Sequence, residues 1–405
     1  IDSAEFVIKK NKVSSLKYLA SLDYDLGLYY YLNSQFDSSL NHYNKALKKR
    51  IELYGENHLD VANCYMGIGL IYDSKSDYDK ALENLYKLLE IRRNILGEEN
   101  AMVAHSISNI GYTYRNKSDL NKALELMLNA LDIRKKVLGE ESYDVAQSYS
   151  SLGVVYYDLC DFEKALFYNN KAVEILKVTS SENSVDIATL YSTIGAIYKR
   201  QSRYVEALEY QEKALSIRKE LFGENHLYIA WSYNDIGLIY DHLSDLEKAL
   251  EYLIKSSEIK NKFLGDKDLD VANSYSNIGT VYNAKGDYDL ALEYHNKALS
   301  IRHEILGERH PSIAECYNNI GSVYLNKQDY PKALEYFNKD VDINTEILGE
   351  KHEYVAMGYL NIGSVYDQLN QLDKALTYFQ KALVISNSIY GDNSEFVGKI
   401  YNNIA

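Results

Sequence analysis

Proline and cysteine are nearly missing from this 405-residue chain, which carries two prolines, Pro311 and Pro331, and three cysteines, Cys64, Cys160 and Cys316. So little proline fits an almost all-helical protein, because a locked φ and a missing N–H break helices from within. The cysteines form no C-x-x-C pair and are too few for a disulfide framework. They read as small buried or half-buried thiols in a reducing, cytoplasmic compartment. Long apolar runs are missing as well. Nothing approaches the roughly 18 residues of a membrane span, so no membrane partner is expected. Excess positive charge is absent too: 44 basic against 58 acidic residues leave a formal net charge of −14. That balance argues against a nucleic-acid surface, which needs clustered Lys and Arg. An apolar share of 46% with 25% charged residues excludes disorder. What the chain has in surplus is tyrosine, 40 residues against one tryptophan. A surplus of that size points to a sequence that repeats itself.

Glycine reveals the period. Gly27, Gly69, Gly111, Gly153, Gly195, Gly237, Gly279, Gly321 and Gly363 are each 42 residues apart, and each is followed three residues later by a tyrosine, from Tyr30 to Tyr366. A second ladder runs Gly55, Gly97, Gly139, Gly223, Gly265, Gly307, Gly349 and Gly391, interrupted at Ser181. A third is alanine, from Ala81 to Ala375, with Ser39 in the first unit. Nine units follow: 14–55, 56–97, 98–139, 140–181, 182–223, 224–265, 266–307, 308–349 and 350–391. Residues 1–13 read as the remnant of a preceding repeat and 392–405 as helix A of a partial tenth unit. A period in this range means stacked supersecondary units.

Within a unit the apolar spacing is helical. Val271, Ala272, Tyr275, Ile278, Gly279, Val281 and Tyr282 lie on one helix face, and after Lys285-Gly286-Asp287 a second stripe runs from Tyr288 to Leu306. Each unit is therefore an antiparallel pair, helix A of about 15 residues and helix B of about 20. Gly307 should end helix B in the left-handed region, and Pro311 fits the first turn of the next helix. A mid-helix glycine repeated nine times calls for close helix contact. The tyrosine beside it is expected to fill the space between units. Phosphate-binding loops are excluded, since no strand precedes these glycines and no G-x-x-x-x-G-K-[ST] occurs.

The order Tyr233, Ile236-Gly237, Tyr240, Ala249 resembles the tetratricopeptide repeat. The 42-residue length and the segment from Ala298 to Tyr330, with its Leu-Gly-Glu turn, look like the repeats of kinesin light chain. The resemblance covers essentially the whole chain. It implies an all-α fold, an α-solenoid wound as a right-handed superhelix, with helix A lining a concave groove. It also implies that positions −6, −3, −2, +1, +4 and +5 from each helix A glycine face a ligand. At −2 stand Asn109, Asn277, Asn319 and Asn361, with Asp235 in unit six; in the family such asparagines hydrogen-bond the backbone of an extended peptide. A solvated helix face is the alternative reading. Elsewhere the offsets carry His105, Tyr112, Arg115, Lys199 and Arg200 in units three to five. Trp231, Asn234, Glu315 and Asn318 follow in units six to eight. The first half of the groove is thus basic and the second acidic, which suggests an acidic peptide segment docked near Arg115, Lys199 and Arg200. Trp231 at a groove position is a candidate anchor. Asp340 replaces the alanine found at Ala298 and Ala382. It implies either local loosening of unit eight or a partner at the convex surface.

No catalytic or metal constellation stands out. His58, His226, His310 and His352 share one repeat offset just before helix A, the place of helix-start residues rather than ligands. His295 and His303 lie on helix B without H-E-x-x-H or neighbouring ligands. Cys64 and Cys316 share an offset but lie six units apart. The expectation is a non-enzymatic scaffold, without metal or cofactor, that binds a peptide or partner domain. The alternative is the regulatory or sensor arm of a larger signalling protein, for example one with a caspase-like protease domain, because Tyr401 to Ala405 match the core of a helix A and stop before its helix B.

Overall fold

A computed structural model describes residues 2–180, 184–391 and 394–404, and the side chains among them except those of 2–12 and 395. Ser181, the interruption in the second glycine ladder, lies outside the described residues, as do Ile1 and Ala405, the ends of the two expected partial repeats. Among the described residues there is no strand. Two compact units, Ile1–Gln201 and Ser202–Ala405, divide the chain. Unit 1 holds α1 (Asp2–Leu32), α2 (Phe36–Tyr54), α3 (Leu59–Ser74), α4 (Tyr78–Leu96), α5 (Ala101–Asn116), α6 (Leu120–Leu138), α7 (Tyr143–Asp158), α8 (Phe162–Thr179) and α9 (Val185–Arg200). Unit 2 holds α10 (Tyr204–Phe222), α11 (Leu227–His242), α12 (Leu246–Leu264), α13 (Leu269–Lys285), α14 (Tyr288–Leu306), α15 (Pro311–Asn326), α16 (Tyr330–Leu348), α17 (Glu353–Gln368), α18 (Leu372–Tyr390) and α19 (Glu395–Ile404). Odd-numbered helices are A helices and even-numbered ones are B helices. The first helix, 31 residues long, runs unbroken across the junction at residues 13 and 14.

Within each of the two compact units, helices pack on their neighbours in chain order and form a succession of small cores rather than one. The mid-helix glycines explain the tightest contacts. Eight of the nine face the B-helix residue 16 positions later: Gly27 meets Tyr43, Gly69 Leu85, Gly111 Met127, Gly153 Asn169, Gly237 Leu253, Gly279 His295, Gly321 Phe337 and Gly363 Phe379. A Cβ at Gly237 would stand 2.7 Å from Leu253 Cγ and 3.1 Å from the Ala249 carbonyl oxygen. At Gly111 the nearest atom is the flexible Met127 Cγ, at 3.2 Å. Gly237→Ala should therefore lower stability by about 1–3 kcal/mol, overcoming its gain in helix propensity of about 1 kcal/mol. Gly111→Ala should stay within about 1 kcal/mol of the parent, because methionine yields. Thermal melts of the two variants check the contrast; equal losses would show that the contact is not the reason for the glycine.

The alanine ladder is buried throughout, and Ser39 substitutes for it by donating its hydroxyl to the Gly27 carbonyl at 2.6 Å. The tyrosine three residues after each glycine differs from expectation. It stacks mostly inside its own unit, on a B-helix tyrosine: Tyr156 on Tyr168, Tyr240 on Tyr252, Tyr282 on Tyr294, Tyr324 on Tyr336 and Tyr366 on Tyr378, with ring centroids 5.3–5.6 Å apart. A lysine caps several of these stacks, as Lys248 does over Tyr240 at 4.9 Å. Stacking satisfies both faces of the ring while leaving the hydroxyl at the edge.

The glycine after helix B also departs from the expected left-handed conformation. Gly307 has φ 79° and ψ −180°, an extended region with positive φ that a Cβ effectively closes. The left-handed residue instead sits in the A–B turn, at Gly286 (φ 86°, ψ 4°) and at its counterparts Ser34, Ser76, Ser118, Cys160, Ser202, Ser244, Gln328 and Asn370. Small or polar side chains tolerate that region, so only the B–A turn demands glycine. This placement leaves Cys160 exposed, unlike Cys64 and Cys316, which are buried as expected.

Candidate functional site

Polar positions on the A helices are joined sideways at a separation of 43 residues, one repeat plus one residue. In unit 1 the Arg115 Nε–H donates to Asp158 and Asn116 donates to Asp73 at 2.8 Å. In unit 2, Asn277 Nδ2 donates to Asn234 Oδ1, Asn326 Nδ2 to Asn283 Oδ1, and Asn361 Nδ2 to Asn318 Oδ1, each at 3.0 Å. An asparagine has two donors and two acceptor lone pairs. Each of these rungs therefore keeps hydrogen-bonding capacity beyond the one bond it makes.

The residues singled out in the sequence fall into two groups. In unit 1, His105 stands exposed on α5, yet the surrounding helices desolvate its imidazole. That desolvation, reinforced by the Arg92 and Arg134 guanidinium groups, holds it below the usual histidine range. Asn109 is half-buried on the same helix. The Tyr112 hydroxyl meets Ser151 on α7, and Arg115 is engaged by Asp158 as described. Lys199 is half-buried and Arg200 exposed in the last turn of α9. In unit 2, Trp231 is 40% exposed on α11, its ring edge-on to Tyr228 with centroids 5.4 Å apart. Asn234 and Asn277 are brought together, as are Asn318 and Asn361; Asp235 is half-buried on the same helix as Asn234, and Asn319 follows Asn318 on α15.

Beneath this face runs a basic ladder on the B helices, which the sequence reading missed. Arg50, Arg92, Arg134, Arg218, Lys260 and Arg302 are buried, spaced in multiples of 42 residues. Each donates to a serine or cysteine 14 residues on, in the next A helix: Cys64, Ser106, Ser148, Ser232, Ser274 and Cys316. Arg92 and Arg302 reach further, donating to Asn63 and Asn273 at the −6 position of their own A helix, at 3.1 and 2.8 Å. Burial depresses the guanidinium groups of Arg92, Arg134 and Arg218 and the ammonium of Lys260 from their ordinary values. Such side chains bridge two A helices and set their spacing. The signal was present in the 42-residue recurrence of Arg with a Ser or Cys 14 residues later.

In unit eight the ladder breaks. Asn344 stands where Arg302 stood, Gly358 where Cys316 stood, and Asp340 where Ala298 stood. A cavity of about 390 Å³ opens there, between α15, α16 and α17. Asp340, 3% exposed, lines it and accepts from Asn344 Nδ2 at 2.7 Å, while Asn344 Oδ1 has no hydrogen-bond partner. Burial pushes the Asp340 carboxyl up to about 7. Asp340 thus points inward, beneath the A helices, and does not mark a convex surface. Glu315, Asn318 and Asn319 on α15 and Tyr354 and Met357 on α17 complete the lining.

The four repeat-start histidines act as helix caps. Nδ1 of His58, His226, His310 and His352 accepts the backbone N–H two residues later at 3.1–3.2 Å. Among the described residues, no group of three or more His, Cys, Asp or Glu side chains is placed to hold a metal ion. No helix among them is long and apolar enough to cross a membrane.

Comparison with known proteins agrees with this arrangement. No curated protein sequence matches the chain. Among solved structures, apo RapI is similar with a TM-score of 0.64 at 18% identity, over 92% of this chain and 98% of RapI. The apo form of the quorum sensor NprR from B. thuringiensis reaches 0.64 at 16% identity, over 88% and 100%. A Rap protein complexed with Competence and Sporulation Factor reaches 0.55 at 15% identity, over 96% and 99%. At these identities the likeness concerns the fold. The tetratricopeptide repeat family model matches residues 18–94, 99–177, 186–262, 270–339 and 317–388. With the paired helices, the glycine–side-chain contacts and that match in hand, the chain belongs to the tetratricopeptide repeat family.

Proposed function

We propose that this array is a non-catalytic cytoplasmic scaffold that binds a peptide or partner domain along the groove formed by its A helices. The observation that carries the reading is Trp231, a large aromatic left 40% exposed on an A helix beside the Asn234–Asn277 rung. A rigid aromatic next to amides with spare hydrogen bonds fits an extended polypeptide, whose backbone offers both donors and acceptors. The Rap complex with Competence and Sporulation Factor is a precedent for the fold. Asn109 on the A helices of unit 1, and Asn319 and Asn361 on those of unit 2, take the role of backbone clamps. In unit 1 the Arg115 charge is already met by Asp158, so Lys199 and Arg200 offer the electrostatic welcome to an acidic segment of the ligand.

Because Trp231 is the one tryptophan, it is its own reporter. Peptides selected against the array from a random display library should change its fluorescence on binding. They should lose at least tenfold in affinity against Trp231→Ala, with the melting curve unchanged. Selected peptides that bind the variant as tightly would remove the support for this groove.

A further inference from the structure

The break in the basic ladder carries a more specific inference. In six places the chain fills the space between successive A helices with its own buried cation. Where Leu176 replaces that cation, a pocket of about 90 Å³ remains, lined by Leu176 and Leu190 together with neutral side chains and Asp186. Unit eight is different. Its cavity is larger, it is lined by the buried Asp340, by Glu315 and by Asn344, and Asn344 Oδ1 is buried without a hydrogen-bond partner. The serine or cysteine is replaced by Gly358, where an added Cβ would meet Val341 Cγ2 at 2.4 Å and Asp340 Oδ2 at 3.1 Å, so the donor is gone and Val341 fills the place of its Cβ. Acceptor-bearing side chains thus line a space from which a donor has been removed. An arginine has five donors and no acceptor.

We propose that this cavity takes the guanidinium group of an arginine side chain carried by the polypeptide bound along the A helices, with Asp340 as its counter-ion. The inference rests on the groove reading and names one contact within it. The ligand's arginine completes from outside the rung that Arg302 forms from within one unit earlier. Arg302 itself is held by Cys316, Asn273 and Glu315, so it does not swing in to neutralise Asp340. A volume of about 390 Å³ falls in the range of small-ligand pockets, roughly 300–1,000 Å³.

The whole chain titrated at pH 8 with acetyl-Gly-Arg-Gly-amide should show saturable binding, at least tenfold tighter than with the citrulline analogue. The preference should vanish in Asp340→Asn, which keeps the shape and the bond to Asn344. It should vanish also in Asn344→Arg, which restores the ladder's own cation. Methylguanidinium alone should bind at least tenfold more weakly than the peptide; equal binding would overturn the polypeptide source. Affinity should drop at least fivefold at pH 5.5, where Asp340 is protonated. The other titratable groups facing it are Glu315 on α15, paired with Arg302 of α14, and Tyr354 on α17. Absence of binding, equal affinity for the two peptides, or an unchanged preference in Asp340→Asn would each overturn the assignment. Retention of the Trp231 effect in that event would leave the groove reading standing.

Discussion

At pH 8 the double variant Asp340→Ala/Asn344→Ser should be more stable than the parent chain by about 2–4 kcal/mol. It copies the next unit, where Ala382 is fully buried and the Ser386 hydroxyl donates to the Ala382 carbonyl at 2.8 Å. Asp340 ionises near 4 in the unfolded chain and at about 7 when folded. Its charged form is therefore disfavoured by folding, and that cost is complete above pH 7. Three pH units of displacement correspond to about 4 kcal/mol; the lower end of the range allows for the enlarged cavity. The sign fixes the pH dependence. Between pH 7 and pH 4 the folded state binds the additional proton, so the parent recovers stability as pH falls. The advantage of the variant should shrink by pH 5. Denaturant melts at both pH values measure it, and an advantage independent of pH would mean that the carboxylate is not its source.

His295 should work in the opposite direction. Its ring is 1% exposed, packed against Gly279, and its Nδ1 has no hydrogen-bond partner. Burial, with the nearby Arg302 charge, lowers its value to about 4 from the ordinary 6.5. The unfolded chain takes up the proton first as pH falls. Stability present above pH 6.5 is then lost progressively down to pH 4, by about 3 kcal/mol. His295→Leu, the residue found at the equivalent Leu253 beneath Gly237, should flatten that loss. Melts of the parent at pH 7 and 4.5 should differ more than those of the variant; a variant as acid-sensitive as the parent would place the lability elsewhere. Since Asp340 and His295 oppose each other over the same range, the double variant at Asp340 and Asn344 should be more acid-labile than the parent.

The helical pairs were legible because 42-residue recurrence exposes the small residues at close contacts, and eight of the nine mid-helix glycines face a B-helix side chain. What stayed hidden was geometry that spacing does not encode. A ladder of glycines announces positive φ but not ψ, so the left-handed assignment at Gly307 belonged to the other turn. The tyrosines after each glycine could have filled either of two spaces, and only stacked rings showed which. At the site, the offsets placed Asn234, Asn277, Asn318 and Asn361 on the A helices, yet their mutual bonds arise from a 43-residue register that sequence distance conceals. Asp340 stands out as a departure from the alanine at its offset, but spacing leaves loosening of unit eight and a partner at the convex surface both open, because nothing in it marks Asn344 and Gly358 as replacements within the same buried layer. On helix B the apolar stripe dominates the pattern, and a buried arginine looks there like an ordinary solvated charge.

The glycine contacts reach 16 residues along the chain, the buried cations 14, and the asparagine rungs 43. Because all of these separations ride on one unvarying period, a single inserted residue would throw out of step every partnership that spans it, while pairs lying wholly before or after it keep their register. Excision or duplication of a whole 42-residue cassette between two Leu-Gly turns leaves every such partnership intact. Length in this molecule is therefore adjustable by evolution or by design only in whole quanta, and the series of polar side chains on the A helices lengthens or shortens with it.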